Sequence, residues 1–124
     1  MNIHQDLLER LQHAQNSHNL EAFVTCFAHG YQSAQPIHPD RAFQGAEQVR
    51  KNWSNIFQDV PDFRADLPRS AVDGDTIWAE WYWFGTKRDE APFAVRGVTI
   101  MGIQAHQIIW ERLYMEPVQD PGAA

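Results

Sequence analysis

The chain has 124 residues, a net charge of −6 and a single cysteine, and these values exclude several classes of protein. A chain of this length forms one domain with its own core. Cys26 excludes an intrachain disulfide and, between apolar neighbours, is predicted to be a packed thiol. The acidic balance without a basic cluster argues against a nucleic-acid partner. No apolar run approaches the roughly 18 residues of a membrane span, and residues 1–12 lack the pattern of a signal peptide, so we expect a cytoplasmic protein with no membrane partner.

Three stretches of the first half have the spacing of amphipathic helices. The first runs from Ile3 to about Gln15. The second begins after an N-cap at Asn19, includes Phe27 in its apolar stripe and ends at Gly30. The third runs from Ala46 to Val60. Each apolar stripe needs a partner, and we expect the helices to pack on a sheet.

The second half changes to the alternation that is typical of antiparallel strands. A short strand is predicted at Tyr31–Gln35, and longer ones begin at Phe63, after the turn Asp73–Asp75, at Pro92 and after the turn Gln104–His106. The last strand ends near residue 117. We therefore predict one domain over residues 1–118, followed by a flexible tail over residues 119–124.

The strand predicted within residues 73–86 is rich in aromatic residues, namely Trp78, Trp81, Tyr82, Trp83 and Phe84. Residues alternate between the two faces of a strand, which places Ile77, Ala79, Trp81 and Trp83 on one face and Trp78, Tyr82 and Phe84 on the other. A strand that is apolar on both faces must be covered on both. The helices can cover one face. The other face needs a second copy of the chain to cover it, so we predict a homodimer formed through Trp78, Tyr82, Phe84 and Trp110.

The order of elements and five local segments resemble the SnoaL-like branch of the nuclear transport factor 2-like (NTF2-like) superfamily. The segments are FQGAEQVRKNW, VPDFRADL, VDGDTIWAEWYWFGT, VRGVTI and IIWERLYMEP, and the resemblance covers about Ile3 to Val118. It implies an α+β cone, in which three N-terminal helices pack on a curved antiparallel or mixed β-sheet and enclose a pocket. The superfamily contains isomerases, dehydratases, epoxide hydrolases, polyketide cyclases and non-catalytic proteins, so the fold does not select an activity.

The resemblance also implies which side chains line the pocket. The predicted ligand-binding residues are Phe27, Tyr31, Arg41, Trp53, Trp81, Trp83, Thr99, Met101 and Leu113. The arginine and two aspartates of limonene-epoxide hydrolases align with Trp81, Trp83 and Leu113, so that hydrolytic triad is absent. The oxyanion-donating acid of ketosteroid isomerases aligns with Thr99, which could donate one hydrogen bond or be a core threonine bonded to backbone. Their general base aligns near Gln35–His38, and this departure argues against their chemistry.

Glu111 is the ionisable residue that the strand phase directs into the pocket, because that phase also buries Ile109. Burial would raise the pKa of its carboxyl toward the range useful for a general acid or base. The alternative is a structural carboxylate paired with Arg96 or Arg41. A slip of one residue in the strand phase would exchange Glu111 for Arg112.

His38 and Asp40 lie together in a loop predicted to border the pocket opening, and they form a second candidate acid/base pair. Asp40 is alternatively a turn residue after a proline. His4, His13 and His18 are predicted to be solvated helix residues, and no histidine has metal-ligand spacing. The glycines form no phosphate-binding loop. We therefore expect neither a metal nor a cofactor.

Together these patterns predict a dimeric protein that binds a small apolar or aromatic molecule. If it is an enzyme, we expect cofactor-free proton transfer, as in isomerisation, dehydration or polyketide-cyclase-type ring closure. The alternative is a non-catalytic ligand-binding or assembly module with the same fold.

Overall fold

A computed structural model describes residues 2–119 and contains three helices and six strands within that range. The helices are α1 (Ile3–Asn16), α2 (Leu20–Val24) and α3 (Ala46–Asp59), and the strands are β1 (Phe27–Ala34), β2 (Phe43–Gln44), β3 (Arg64–Asp73), β4 (Thr76–Thr86), β5 (Pro92–Gln104) and β6 (Gln107–Pro117). A 3₁₀ turn at Pro39–Arg41 precedes β2. The predicted tail at residues 119–124 lies outside the described residues, apart from Gln119.

The six strands form one mixed sheet in the order β2-β1-β6-β5-β4-β3. Strands β3 to β6 form an antiparallel meander, whereas β1 pairs in parallel with β6. The helices pack on one face, and the core lies between them and the sheet. The predicted α+β class, with helices on a curved mixed sheet, is confirmed.

A glycine in β5 accompanies the curvature of the sheet. Gly97 has a φ of +155° and faces Met115 across the β5–β6 pairing. A β-carbon at Gly97 would lie 1.9 Å from the carbonyl oxygen of Tyr114, so only glycine fits this close approach. A register shift between Gly102 and Ile103 interrupts the same pair of strands further along.

The helix α1 is fixed at its start and along its length. The Asn2 side chain accepts hydrogen bonds from the backbone N–H groups of His4 and Gln5. Near the other end, the Asn16 side chain exchanges two hydrogen bonds with the backbone of Ala65 in β3. The apolar stripe between these points is buried and comprises Leu7, Leu8, Leu11 and Ala14. These contacts hold α1 across the concave face of the sheet.

The prediction that the second helix includes Phe27 and ends at Gly30 is wrong. Asn19 caps α2 as expected, accepting a hydrogen bond from the Ala22 N–H at 3.0 Å, but the helix ends at Val24. Phe27 begins β1, and Gly30 lies inside this strand rather than at a helix end. The reason is the pairing with β6, where Phe27 is opposite Ile108, a partner about 80 residues away in sequence.

Two further local predictions need correction. Ile108 rather than Ile109 is fully buried, because the register shift in β6 changes the strand phase before Glu111. His18 is not a solvated residue, since its Nε2 lies 2.8 Å from the Phe63 carbonyl oxygen and its ring stacks on Phe57. The side chain of His4 is only 13% exposed. Both histidines are therefore part of the packed structure.

The predicted faces of the aromatic strand β4 are confirmed. Ile77, Ala79 and Trp81 are buried under the helices, whereas Trp78 on the opposite face is 46% exposed. Cys26 is fully buried, and burial raises the pKa of its thiol. Within residues 2–119, none of the helices combines the length and the apolar character that a bilayer crossing requires.

Candidate functional site

A cavity of about 180 Å³ lies between the helices and the concave face of the sheet. Most of the side chains predicted to bind a ligand line it, namely Phe27, Tyr31, Trp53, Trp81, Trp83, Met101 and Leu113, together with Glu111. Dry apolar cavities of about 150 Å³ accommodate benzene. The volume therefore suits a molecule of about one ring.

Thr99 and Arg41 belong to the surroundings of the cavity rather than to its lining. Thr99 is 1% exposed, and its Oγ1 accepts a hydrogen bond of 3.0 Å from Trp81 Nε1. Its partner is thus a side chain and not the backbone. Arg41 is exposed and donates to Gln35 Oε1 at 3.3 Å, and Gln35 itself lines the cavity. Arg41 therefore lies one side chain away from the cavity wall.

Glu111 is the only acidic side chain on the cavity wall, within the described chain. It is 8% exposed, and its Oε1 accepts a hydrogen bond of 2.6 Å from the Tyr31 hydroxyl. Burial raises the pKa of Glu111 to about 7, although hydrogen bonds from Tyr31 and Thr99 act in the opposite direction. Burial and the adjacent carboxyl also raise the pKa of Tyr31, which keeps its hydroxyl protonated as a donor.

These side chains form a polar row across four strands, with Trp81 on β4, Thr99 on β5, Glu111 on β6 and Tyr31 on β1. Because Thr99 Oγ1 accepts the Trp81 N–H, the hydroxyl proton of Thr99 is free to point at Glu111. Tyr31 approaches the same carboxyl from β1. The row orients Glu111 from two sides and leaves it on the cavity wall. A carboxyl held in this way can accept or donate a proton near neutral pH.

The structural alternative for Glu111, an ion pair with Arg96 or Arg41, is not present. The guanidinium of Arg96 lies 3.8 Å from the centre of the Tyr82 ring, on the opposite face of the sheet. Arg112 is exposed, so the strand phase that directs Glu111 inward is the observed one.

The loop pair His38 and Asp40 does not reach the cavity wall. His38 Nε2 lies 2.6 Å from the Glu116 carboxylate, and both side chains are partly exposed. Asp40 is exposed within the 3₁₀ turn, as its alternative interpretation as a turn residue implies. The structure therefore does not bring His38 or Asp40 together with Glu111.

Sequence reasoning missed the polar residue Gln15 in the cavity lining. Gln15 is 2% exposed, and its Oε1 has no hydrogen-bond partner within residues 2–119. Trp83 Nε1, in the same lining, is also buried without a partner in that range. The signal was present in the helical spacing, because Gln15 follows Leu8 and Leu11 on the inward stripe of α1. One acceptor and one donor thus remain unpaired beside the cavity.

No three His, Cys, Asp or Glu side chains converge on a metal-sized site in the part of the chain that the structure describes. The cavity wall therefore presents one carboxyl, a few amides and hydroxyls, and a majority of apolar and aromatic groups.

The model of the SnoaL-like domain family matches residues 8–111 of the chain. The chain belongs to the SnoaL-like domain family. The match includes α1 from Leu8 and every cavity-lining residue except Leu113, and Glu111 is its last residue. Among proteins with curated functional descriptions, none shows significant sequence similarity to this SnoaL-like chain.

Solved structures share the fold of this SnoaL-like protein at low sequence identity. A candidate SnoaL-like polyketide cyclase from Jannaschia sp. CCS1 superposes with a TM-score of 0.77 and 17% identity over 92% of this chain and 85% of its own. A protein with a ketosteroid isomerase-like fold from Catenulispora acidiphila, in complex with trimethylamine, gives a TM-score of 0.73 and 18% identity over 86% and 82%. The candidate hydroxylase AclR from Streptomyces galilaeus gives 0.77 and 11% over 94% and 76%. These similarities establish the fold alone.

Proposed function

We propose that this SnoaL-like protein binds a small apolar or aromatic molecule in the cavity and catalyses proton transfer on it, with Glu111 as the acid/base. The observation that carries the proposal is a carboxyl on an apolar cavity wall, hydrogen-bonded to Tyr31 at 2.6 Å and with a pKa raised to about 7. The reaction types that fit are isomerisation, dehydration and polyketide-cyclase-type ring closure.

In such a reaction the ionised Glu111 would remove a proton from a carbon next to a carbonyl group, and the protonated form would return it elsewhere on the same molecule. A pKa near 7 serves both steps, because each form is well populated at neutral pH. Tyr31 and Thr99 hold the carboxyl in place while it changes charge. The unpaired Trp83 N–H beside the cavity is suited to a carbonyl oxygen of the substrate.

A non-catalytic ligand-binding or assembly module is the second candidate. It is favoured by the internal pairing of the candidate residues, since Tyr31 already occupies one oxygen of Glu111 and His38 is paired with Glu116. In that case Glu111 would contribute polarity to a binding site without turning over a substrate.

Exchange of hydrogen for deuterium at the α-carbon of small cyclic ketones tests the enzyme without knowledge of the natural substrate. We expect the protein to accelerate this exchange in D₂O, as followed by NMR, with a rate that rises with pH around a midpoint near 7 as Glu111 ionises. Glu111→Gln should lower the rate by about 10² to 10⁴, the usual contribution of a general base.

Glu116→Gln is the matched control, because it removes the same charge from an exposed site that is paired with His38. It should leave the exchange rate unchanged. If a panel of one-ring ketones binds in the cavity but exchanges no faster than in buffer, the binding-module candidate is preferred. If Glu111→Gln exchanges as fast as the original protein, Glu111 has no role in the chemistry.

We also propose that the protein forms a homodimer through the helix-free face of the sheet. Trp78 is 46% exposed there, Tyr82 stacks on Phe84 with ring centres 4.7 Å apart, and Trp110 packs closely over Gly102. Large aromatic rings gathered on one open face favour association with a second copy.

Sedimentation of a Trp78→Glu variant tests this interface. We expect the unaltered protein to sediment at about twice the chain mass and the variant to sediment as a monomer, because two buried copies of the new carboxylate would lose their solvation. Val72→Glu is the control, since Val72 is also 46% exposed but pairs with Ile77 and shares its helix-covered face. A dimer that survives Trp78→Glu would contradict the proposed interface.

A further inference from the structure

The charge composition of the cavity wall restricts the ligand beyond the general proposal of a small apolar molecule. Within residues 2–119, the lining contains no Lys, Arg or His, and Glu111 is its single ionisable carboxyl. The loop residue Arg41 is exposed, and its guanidinium donates a hydrogen bond to Gln35. An anionic ligand would find no opposite charge in the cavity, and the ionised Glu111 would repel it. The net charge of −6 acts in the same direction.

The aromatic side chains of the cavity wall favour a cationic ligand. Seven aromatic residues line the cavity, namely Phe23, Phe27, Tyr31, Phe43, Trp53, Trp81 and Trp83. They meet one another at varied angles, such as 82° between Trp53 and Trp83 and 46° between Phe23 and Trp53. The face of an aromatic ring attracts a cation, most strongly when the ring is tryptophan and the site is desolvated.

We infer that the cavity recognises a small organic ammonium ion, whose alkyl groups contact the aromatic wall and whose charge is balanced by Glu111. A quaternary or tertiary nitrogen with short alkyl groups fits both the volume of about 180 Å³ and the apolar wall. This inference rests on the proposed function in that it assigns the ligand class of the same cavity. It concerns binding and requires no turnover.

Binding of such a cation is linked to the ionisation of Glu111. The groups that face its carboxyl are Tyr31 from β1 and Thr99 from β5, both uncharged, and burial is the main cause that raises its pKa. On its own strand the neighbouring Arg112 is exposed and directed away from the cavity. A cation beside Glu111 would favour the ionised carboxylate. The affinity for a cation should therefore rise with pH through the pKa of Glu111.

Three probes of nearly equal shape test the inference by calorimetry and by tryptophan fluorescence: choline, 3,3-dimethylbutan-1-ol and 3,3-dimethylbutanoate. At pH 8 we expect choline to bind at least about tenfold more tightly than the neutral alcohol, and the anion to bind more weakly than either. Below the Glu111 pKa of about 7, choline affinity should fall by up to about tenfold per pH unit while that of the alcohol stays constant.

Glu111→Gln should reduce the preference for choline and abolish its pH dependence, while binding of the neutral alcohol stays unchanged. Glu80→Gln removes the same charge from the opposite face of the sheet, where Glu80 pairs with Arg69, and should leave both unchanged. Tyr31→Phe removes a hydrogen bond that lowers the Glu111 pKa, so it should move the midpoint for choline binding to higher pH.

Equal affinity for choline and the alcohol, tighter binding of the anion, or no choline binding at high millimolar concentration would each overturn the inference. Choline and the alcohol have no carbonyl group, and the α-protons of the carboxylate are far less acidic than those of a ketone, so none of the probes is a substrate for the proposed reaction. A failure here therefore leaves the ketone exchange result standing, and loss of exchange would not affect the result with choline.

Discussion

Gly97→Ala is expected to destabilise the protein by roughly 4 kcal/mol, the combined scale of backbone strain and overpacking in a close-packed site. The added β-carbon would lie 1.9 Å from the Tyr114 carbonyl oxygen and 2.9 Å from the Met115 Cα, which are backbone atoms that cannot rotate away. The φ of +155° at Gly97 adds a conformational cost for alanine. Urea denaturation followed by circular dichroism would measure the loss.

Gly30→Ala provides the matched control for that substitution. Gly30 also lies within a strand, but a β-carbon there would meet no atom within 4 Å. We expect Gly30→Ala to change the free energy of unfolding by less than about 1 kcal/mol. If Gly97→Ala were as mild as Gly30→Ala, the close approach of β5 to β6 would not be needed for the fold. Gly97→Ala should also disturb the cavity, because Gly97 pairs with Trp81 and the Trp81 N–H donates a hydrogen bond to Thr99.

Stability should also fall with rising pH because of Glu111, by about 3 kcal/mol in total. Burial raises the pKa of Glu111 from 4.5 to about 7 in the folded protein. Between these two values the folded state retains a proton that the unfolded state has lost, so the free energy of unfolding decreases as pH rises. The contribution is complete below pH 4.5 and lost above pH 7.

A comparison of the original protein with Glu111→Gln isolates this effect, since other carboxyls titrate in both. The difference between their unfolding free energies should change by about 3 kcal/mol between pH 4 and pH 8, in favour of the glutamine variant at pH 8. Urea denaturation across this range would measure it. A difference that is independent of pH would mean that the pKa of Glu111 is the same in the folded and unfolded states, which would also weaken its proposed role as an acid/base near pH 7.

The amino-acid pattern alone determined the elements whose partners are local in sequence. The stripe of α1, the cap at Asn19 and the span of α3 follow from helical spacing and capping chemistry. The alternation in β4 predicted which side chains face the helices, because a strand has a period of two wherever its pairing is regular. The same alternation directed Glu111 inward, and the buried position of this residue agrees with it.

Only the tertiary structure decided what depends on distant partners. Phe27 fits a helical stripe by spacing, yet it belongs to a strand because it pairs with Ile108 of the distant strand β6. The bond between Tyr31 and Glu111 joins the same two strands, and the change from Ile109 to Ile108 follows from a register shift between β5 and β6. Such pairings depend on loop closure and on the fit of whole faces rather than on local periodicity. Periodicity could therefore place the carboxyl of Glu111 in the cavity. It could not show that the Tyr31 hydroxyl lies beside this carboxyl. Nor could it show that, among the residues described, no cationic side chain lines the wall.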